Sequence, residues 1–295
     1  MAIVVSMDGR LCPPGEQVVS VFDRGFLYGD SVFETLRTYD GVPFGLDEHL
    51  ARLERSAELV FIDLPVTREV LSREIAAALR AAANPESYVR VMLTRGEGAL
   101  GLDPALAERP RRLIIVQPLV PPPAEQYARG IAAITYRTDR VLDATSAQGA
   151  KVGNYLVSVL ALHEAKQRGA SEALIVDGRG NLLEGGSANL FVVNERGLLT
   201  PPLEAGILAG VTRARVLELA TELGFSVELG AVPLEAARRA REIFITSSIR
   251  ELLPVVRLDD APVGAGTPGP VFQRLLDTFR ARARGGARDR ALPIV

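Results

Sequence analysis

Of the 34 lysine and arginine residues in this 295-residue chain, only Lys151 and Lys166 are lysine, and the other 32 are arginine. A chain that uses arginine almost everywhere a cation suffices has a chemical reason to keep lysine where a primary amine is required, because a guanidinium cannot form a Schiff base. The two lysines differ in setting. Lys166 follows His163-Glu164-Ala165 and precedes Gly169, which reads as the solvated last turn of a helix. Lys151 lies in Ala147-Gln-Gly-Ala-Lys151-Val-Gly-Asn154, a glycine-containing loop before an apolar helix, where a reactive amine can sit. On its own, such a lysine is still more often an ordinary surface residue.

Anion chemistry has its own signals. Gly206-Ile-Leu-Ala-Gly210-Val-Thr212-Arg213 leads into an amphipathic helix over 211–223, whose first amides are donors at a positive helix end. Thr212 either adds a hydroxyl to such a site or caps its helix, and locally the cap is the stronger reading. Thr246-Ser-Ser-Ile-Arg250 follows a strand and offers hydroxyls and amides able to line an anion pocket. Glu184 ends a short strand in Asn181-Leu-Leu-Glu184-Gly-Gly-Ser-Ala-Asn189, where the glycines let a ligand approach the backbone. Arg52 lies on a helix, away from the apolar stripe. Singly, none of these residues identifies an enzyme.

Two other chemistries find less support. Gly96-Glu-Gly98-Ala-Leu-Gly101 matches a dinucleotide fingerprint, but Pro104 and Pro110 leave no room for the crossover helix that its third glycine requires. A mobile glycine-rich loop is expected instead. His49 and His163 lie far apart without metal-ligand spacing to Cys12, so no metal site is expected.

The elements that must hold these residues follow from composition and pattern. With 47% hydrophobic and 24% charged residues, a formal net charge of −2 and no apolar run long enough to span a bilayer, the chain reads as a soluble globular protein. It is too apolar for a disordered chain and too weakly charged for a polyelectrolyte binder of nucleic acid. The single Cys12 precludes an internal disulfide and MAIVVSMDGR lacks the features of a secretion signal, so a cytoplasmic location is expected.

Residues 31–39 read as a strand, Asp40-Gly41 as a turn and 42–44 as the returning partner. Asp47 is expected to cap a helix carrying Leu50, Leu53, Ala57 and Val60, with a second amphipathic helix over 67–83 and strands over 88–94 and 113–117. Pro118-Leu-Val-Pro-Pro-Pro123 can continue neither sheet nor helix. The expected organisation is therefore a small N-terminal α/β domain over 1–117, a linker over 118–130 and a larger domain over 131–295. Beyond the linker, strand-like segments at 131–138, 172–177, 188–194, 225–228 and 242–246 alternate with helices at 154–168, 211–223 and 271–284. The fold class is α+β with mixed sheets. Residues 280–290 read as a short, solvated, frayed end.

Taken in order, these segments resemble one family: the fold-type IV pyridoxal-phosphate enzymes, which include branched-chain amino acid aminotransferase, D-amino acid aminotransferase and 4-amino-4-deoxychorismate lyase. The resemblance runs from Asp23-Arg-Gly-Phe-Leu-Tyr28-Gly-Asp-Ser-Val-Phe33-Glu-Thr through Glu48-His-Leu-Ala-Arg52-Leu, Lys151-Val-Gly-Asn154-Tyr155, Glu184-Gly-Gly-Ser-Ala-Asn189-Leu-Phe and Gly210-Val-Thr212-Arg213 to Glu251-Leu-Leu-Pro254-Val. It implies a two-domain fold with a barrel-like core in the larger domain, and pyridoxal 5'-phosphate as cofactor. It implies that Lys151 bonds the cofactor and then transfers protons as a base, which requires a neutral amine near pH 7. Glu184 would pair with the ring nitrogen, Tyr155 with the phenolic oxygen, and Arg52, Val211, Thr212 and Ser248 with the phosphate. Asn189, Leu208 and Ser247 complete the implied cofactor set.

The resemblance also implies a substrate set. Tyr28 and Phe33 match positions walling the substrate pocket, and Arg37, Tyr88, Arg90, Arg95 and Arg250 are the further candidates. Tyr88-Val-Arg90 resembles the branched-chain enzymes, favouring an apolar L-amino acid with a 2-oxo acid such as 2-oxoglutarate as acceptor. Thr94-Arg95-Gly96 and the Arg250 segment resemble the other branches. A D-amino acid transaminase, a 4-amino-4-deoxychorismate lyase or (R)-amine transaminase, and a non-catalytic pyridoxal-phosphate-binding protein remain alternatives. Family members are homodimers, and Gly96-Glu-Gly-Ala-Leu-Gly-Leu-Asp103 is the segment expected to reach the neighbouring subunit.

Overall fold

The structure is a computed structural model that describes residues 2–13, 15–16, 18–107, 109–138 and 147–289, without the side chains of 287–289. The chain divides into two compact units, one of Met1–Val120, Ala150–Asn154 and Ala283–Val295, the other of Pro121–Gly149 and Tyr155–Arg282. Lys151 therefore belongs with the first unit, although the residues around its segment in sequence build the second.

The first unit is formed by β1 (Val4–Met7), β2 (Arg10–Cys12), α1 (Arg24–Tyr28), β3 (Ser31–Tyr39), β4 (Val42–Pro43), α2 (Leu46–Leu59), α3 (Arg68–Ala82), β5 (Ser87–Thr94) and β6 (Arg111–Pro118). Its strands make one antiparallel sheet in the order β2-β1-β6-β5-β3-β4. Strand alternation sends Val32 and Leu36 of β3, Val89, Val91 and Leu93 of β5, and Ile114 and Val116 of β6 into a core shared with Leu50 and Leu53 of α2 and Leu71 and Ile75 of α3. Glu34 falls on that core face, between Val32 and Leu36. Phe33, Thr35 and Arg37 face the other way, opposite Met92, Arg90 and Tyr88.

Helix α2 differs from expectation at its start. Gly45, in the left-handed region at φ 64°, is its N-cap, and Asp47 lies inside the first turn rather than at the cap. Helix α3 is capped by Thr67, whose hydroxyl accepts the amide of Val70 at 3.4 Å. The glycine-rich segment is braced. Arg24, fully buried, donates to the carbonyls of Gly101 (2.8 Å) and Leu102 (3.3 Å), and Gly101 donates to the Tyr28 hydroxyl at 3.1 Å.

The second unit contains α4 (Ala124–Arg129), β7 (Ile131–Arg137), α5 (Leu156–Gln167), β8 (Glu172–Val176), β9 (Asn181–Gly185), β10 (Ala188–Asn194), β11 (Gly197–Thr200), α6 (Val211–Glu222), β12 (Val227–Leu229), β13 (Val232–Pro233), α7 (Leu234–Arg238), β14 (Glu242–Ser247), β15 (Glu251–Leu258), β16 (Ala261–Pro262) and α8 (Pro270–Asp289). Because β10 pairs with both β14 and β9, the path β10-β14-β15-β7-β8-β9 closes on itself, parallel only at β15–β7 and β7–β8. Closure leaves no unpaired edge in the ring. Its inside is filled by alternate residues, among them Leu174, Leu182, Leu190, Val192, Ile245 and Leu253. This is the barrel-like core that the family resemblance implied.

Helix α5 starts at Leu156, two residues later than expected, with Lys166 exposed in its last turn. Helix α8 corrects the expected frayed end: it remains helical to Asp289, buries Phe272, Leu276 and Phe279, and pairs Arg280 with Glu251 at 2.7 Å. Residue 290 lies outside the described residues. Among the described residues no helix is long and apolar enough to cross a membrane, and no group of three metal-ligating side chains is present.

Candidate active site

In the first unit, the candidate residues gather around Lys151. The Lys151 carbonyl accepts the amide of Phe33 at 3.0 Å, Val152 bridges Val32, and Gly153 donates to Ser31 at 2.7 Å. The segment thus runs along the edge of β3 that β4 leaves unpaired. On its other side the Lys151 amide donates to the buried Ser56 hydroxyl of α2 at 3.1 Å. The side chain is directed by an aromatic face: Nζ lies 4.6 Å from the Phe33 ring centroid, and the guanidinium of Arg90 lies 3.8 Å from the same ring. Of the expected substrate residues, Phe33, Arg37, Tyr88 and Arg90 share this one sheet face. Arg37 stacks on Tyr39 at 4.3 Å.

Arg52 is buried and grips a residue that sequence reasoning missed. Its Nε and Nη2 donate to Oε1 and Oε2 of Glu34 at 2.6 and 2.7 Å, and His49 Nδ1 lies 2.7 Å from Oε2. The signal was an acidic residue at a core position of an apolar strand, paired with polar residues at three-residue spacing on the helix above it. Arg95, the further residue expected at the substrate, is bonded within the first unit. Its guanidinium is held by Asp30 at 2.7 and 3.0 Å and by the carbonyls of Phe61 and Val60 at the end of α2 (2.6 and 2.7 Å).

In the second unit, a cluster of candidate residues lies on the outside of the barrel, at one end. Leu174 pairs with Gly185 and Val176 with Leu182, so three steps of β9 oppose two of β8. This bulge turns Glu184 away from the face of Leu182 and onto the face of Asn189, its partner across β10. There Glu184 Oε2 accepts the amide of Leu208 at 3.1 Å and the Asn189 side-chain amide at 3.4 Å, while Asn189 also donates to the Leu208 carbonyl at 2.8 Å. Thr246, opposite Asn189 on β14, lies on the same face with its hydroxyl buried and unpartnered.

Helix α6 begins beside this cluster. Its N-cap is Gly210, which offers no side chain, so Thr212 lies within the first turn and does not cap it. A Cβ at Gly210 would run into the Asn189 carboxamide. Arg213, one turn on, is buried against the Thr200 hydroxyl (3.4 Å) and the Pro201 carbonyl (2.8 Å); burial lowers its pKa, and the charges of Glu184 and Glu204 oppose that shift.

Arg250, the residue expected at a substrate carboxylate, is bonded to Ser247, Glu172 and Ser187. Its Nε donates to the Ser247 hydroxyl (3.2 Å), Nη1 to Glu172 (2.5 Å) and Nη2 to the Ser187 hydroxyl and carbonyl (2.9 and 3.2 Å). Glu172 in turn accepts the amides of Ala173 and Gly186 at 2.9 and 3.1 Å. The turns carrying Ser187 and Ser247 are thereby tied together. Tyr155 is half-buried at the N-cap position of α5, and Ser248 lies in the turn after β14.

An orphaned buried hydroxyl, an uncapped helix start and an oriented carboxylate form a set of groups able to hold a phosphorylated cationic ring. Comparison with known proteins points to the same chemistry. The sequence pattern described as amino-transferase class IV matches residues 31–258. A Methanocaldococcus jannaschii protein assigned as a branched-chain-amino-acid aminotransferase is 37% identical over 276 residues, covering 94% of this chain and 95% of that protein. The D-alanine aminotransferase of Bacillus licheniformis is 33% identical over 271 residues, covering 92% and 94%. Among solved structures, the Escherichia coli branched-chain amino acid aminotransferase superposes with a TM-score of 0.90 at 30% identity, covering 96% of this chain and 95% of that one. A second branched-chain amino acid aminotransferase, from T.th. and solved with pyridoxamine 5'-phosphate, superposes with a TM-score of 0.90 at 31% identity, covering 96% and 94%.

Proposed function

The chain belongs to the amino-transferase class IV family, and on that premise we propose that it moves an amino group between an apolar, branched-chain L-amino acid and a 2-oxo acid. The observation that carries the reading is the Glu184 cluster, a carboxylate set on a bulge and oriented by the Leu208 amide and Asn189. Pyridoxal 5'-phosphate, when bound, supplies an aldehyde for amine condensation and a ring that withdraws electrons from the substrate α-carbon.

The residues of this chain do the rest. Lys151 supplies the primary amine, and its Nζ would take the proton from the substrate α-carbon and pass it to the cofactor carbon that keeps the amino group, not back to the α-carbon. The backbone bonds to Ser56 and Phe33 fix where that nitrogen starts. Glu184 holds the proton on the ring nitrogen, which a neutral side chain could not do as well. Arg52, the first-turn amides of Val211 and Thr212 and the hydroxyls of Thr212 and Ser248 hold the phosphate, and Tyr155 holds the phenolic oxygen. Phe33, Tyr88 and Arg90 line the substrate side in the first unit.

Sequence likeness to the two aminotransferase groups differs modestly, and the B. licheniformis relative favours a second reading, a D-amino acid donor. A half-reaction screen of L-leucine, L-valine, L-glutamate, D-alanine and a simple primary amine, followed by loss of the bound cofactor's visible absorbance, separates the two. Fast turnover of the L-amino acids supports the branched-chain reading; a fast reaction with D-alanine alone overturns it.

Homodimer formation belongs to the same proposal. Leu100 and Leu102, on the segment that Arg24 braces, are 69% and 80% exposed, and α5 exposes Leu156, Val159 and Leu160. Exposed apolar side chains on a braced loop fit contact with a second copy. Light scattering on the active protein tests this, and an active monomer would overturn it.

A further inference from the structure

Glu34 is a charged residue in an apolar core. It lies on β3 between Val32 and Leu36, and all three are fully buried. Helix α2 places His49, Arg52 and Ser56 on one side, three and four residues apart, toward the strand that carries Glu34. The Arg52 guanidinium meets both carboxylate oxygens in a fork, at 2.6 and 2.7 Å. Oε2 also takes the His49 ring nitrogen at 2.7 Å and the Thr35 amide at 3.3 Å.

Protonation in this cluster is settled by the balance of burial and charge. Burial alone would raise the Glu34 carboxyl, but Arg52 and His49 more than offset it and bring it down to about 2. An ionised carboxylate only accepts hydrogen bonds, so His49 carries its proton on Nδ1. Burial also lowers the His49 pKa despite its bond to Glu34. The ring is therefore a neutral donor. A buried ion pair of this kind gives little stability over an apolar pair of the same volume, so its presence calls for another use. Arginine is a long, rotamer-rich side chain, and a two-point grip on Nε and Nη2 removes that freedom before any ligand arrives.

We propose that Glu34 is a positioning residue which, with His49 as its second donor, presents the Arg52 guanidinium in a fixed pose to the phosphate of the cofactor. This rests on the assignment of Arg52 to that phosphate. Glu34 itself makes no contact with the cofactor. Its effect is specific to the phosphorylated ligand, whereas general loosening of the first unit would weaken every ligand alike.

The test is equilibrium binding of pyridoxal 5'-phosphate and, separately, of unphosphorylated pyridoxal to the apoprotein. It uses the wild type, Glu34→Gln, Arg52→Ala and the double variant. Glu34→Gln is expected to weaken pyridoxal 5'-phosphate by about tenfold, the loss of one charge-assisted contact, and to leave pyridoxal within about twofold. In the Arg52→Ala background, Glu34→Gln should add nothing further. Equal weakening of both ligands, no weakening, or full additivity in the double variant would overturn the proposal while leaving the phosphate role of Arg52 intact. An Arg52→Ala protein that binds both ligands like the wild type would instead overturn the phosphate assignment, and the proposal with it. If Glu34→Gln does not fold, His49→Leu decides: a phosphate-specific loss that His49→Gln recovers supports the proposal, and no loss, or an equal loss for both ligands, overturns it.

Discussion

The backbone amide of Lys151 donates to the hydroxyl of Ser56 at 3.1 Å, tying a loop residue to the buried face of the last turn of α2. A flexible four-carbon side chain acts reproducibly only when its backbone is fixed, and this bond fixes it from the side opposite β3.

Ser56→Ala removes the acceptor of the part-buried Lys151 amide. Urea denaturation should show a loss of about 1–3 kcal/mol, the usual cost of an unsatisfied buried group. The variant should still bind cofactor at Lys151, with a slower amino-donor half-reaction. An unchanged half-reaction rate would remove the positioning role of Ser56.

Glu184→Gln keeps the shape of the cluster and the bonds to Leu208 and Asn189 but removes the charge. Cofactor should remain bound, and the half-reaction rate should fall by on the order of a hundredfold, as when one preorganised electrostatic group is lost. Stopped-flow absorbance checks this, and a rate within twofold of wild type would contradict the role given to Glu184.

Gly210→Ala is expected to act through sterics alone, because φ −68° and ψ 130° are open to alanine. The added methyl collides with Asn189, which orients Glu184. Stability should fall by about 1–3 kcal/mol, typical of overpacking, together with cofactor affinity. Wild-type affinity in the folded variant would show that this close approach is not needed.

The chemistry was more legible than its supports. Lys151 stood out by the scarcity of lysine and the Asp40-Gly41 turn gave the β3–β4 hairpin, because each signal is local, whereas Thr67, read as the first residue of its helix, is the cap of α3. The equally local Asp8-Gly9 turn, with both residues at positive φ, joins a β1–β2 hairpin that the strand reading overlooked. The bulge that reorients Glu184 was not legible, since it depends on a count of paired residues on two strands. Arg95 and Arg250 each follow a strand, as a substrate-binding arginine could; their ion pairs with Asp30 and Glu172, distant in sequence, were not legible. Glu34 was overlooked inside a strand recognised by its apolar neighbours, and its meaning depends on α2.

Acid stability carries the signature of the same cluster. His49 titrates below its ordinary 6.5 in the fold, so the unfolded chain takes up its proton first and stability falls as pH drops below about 6.5. Glu34 adds a second loss between about 4.5, its ordinary value, and about 2, where the folded state itself is protonated. Denaturation midpoints measured from pH 7 to pH 3 should therefore steepen below about pH 4.5. The added slope should vanish in Glu34→Gln, and an identical profile in that variant would contradict it.

The most direct measurement is borohydride reduction of the cofactor-loaded protein, followed by peptide mass spectrometry. With Lys151 and Lys166 the only lysines, the account predicts a phosphopyridoxyl mass on Lys151 and an unlabelled Lys166. The label should be absent from Lys151→Ala, which should also lack transaminase activity. Label on Lys166, or a fully active Lys151→Ala, would contradict it.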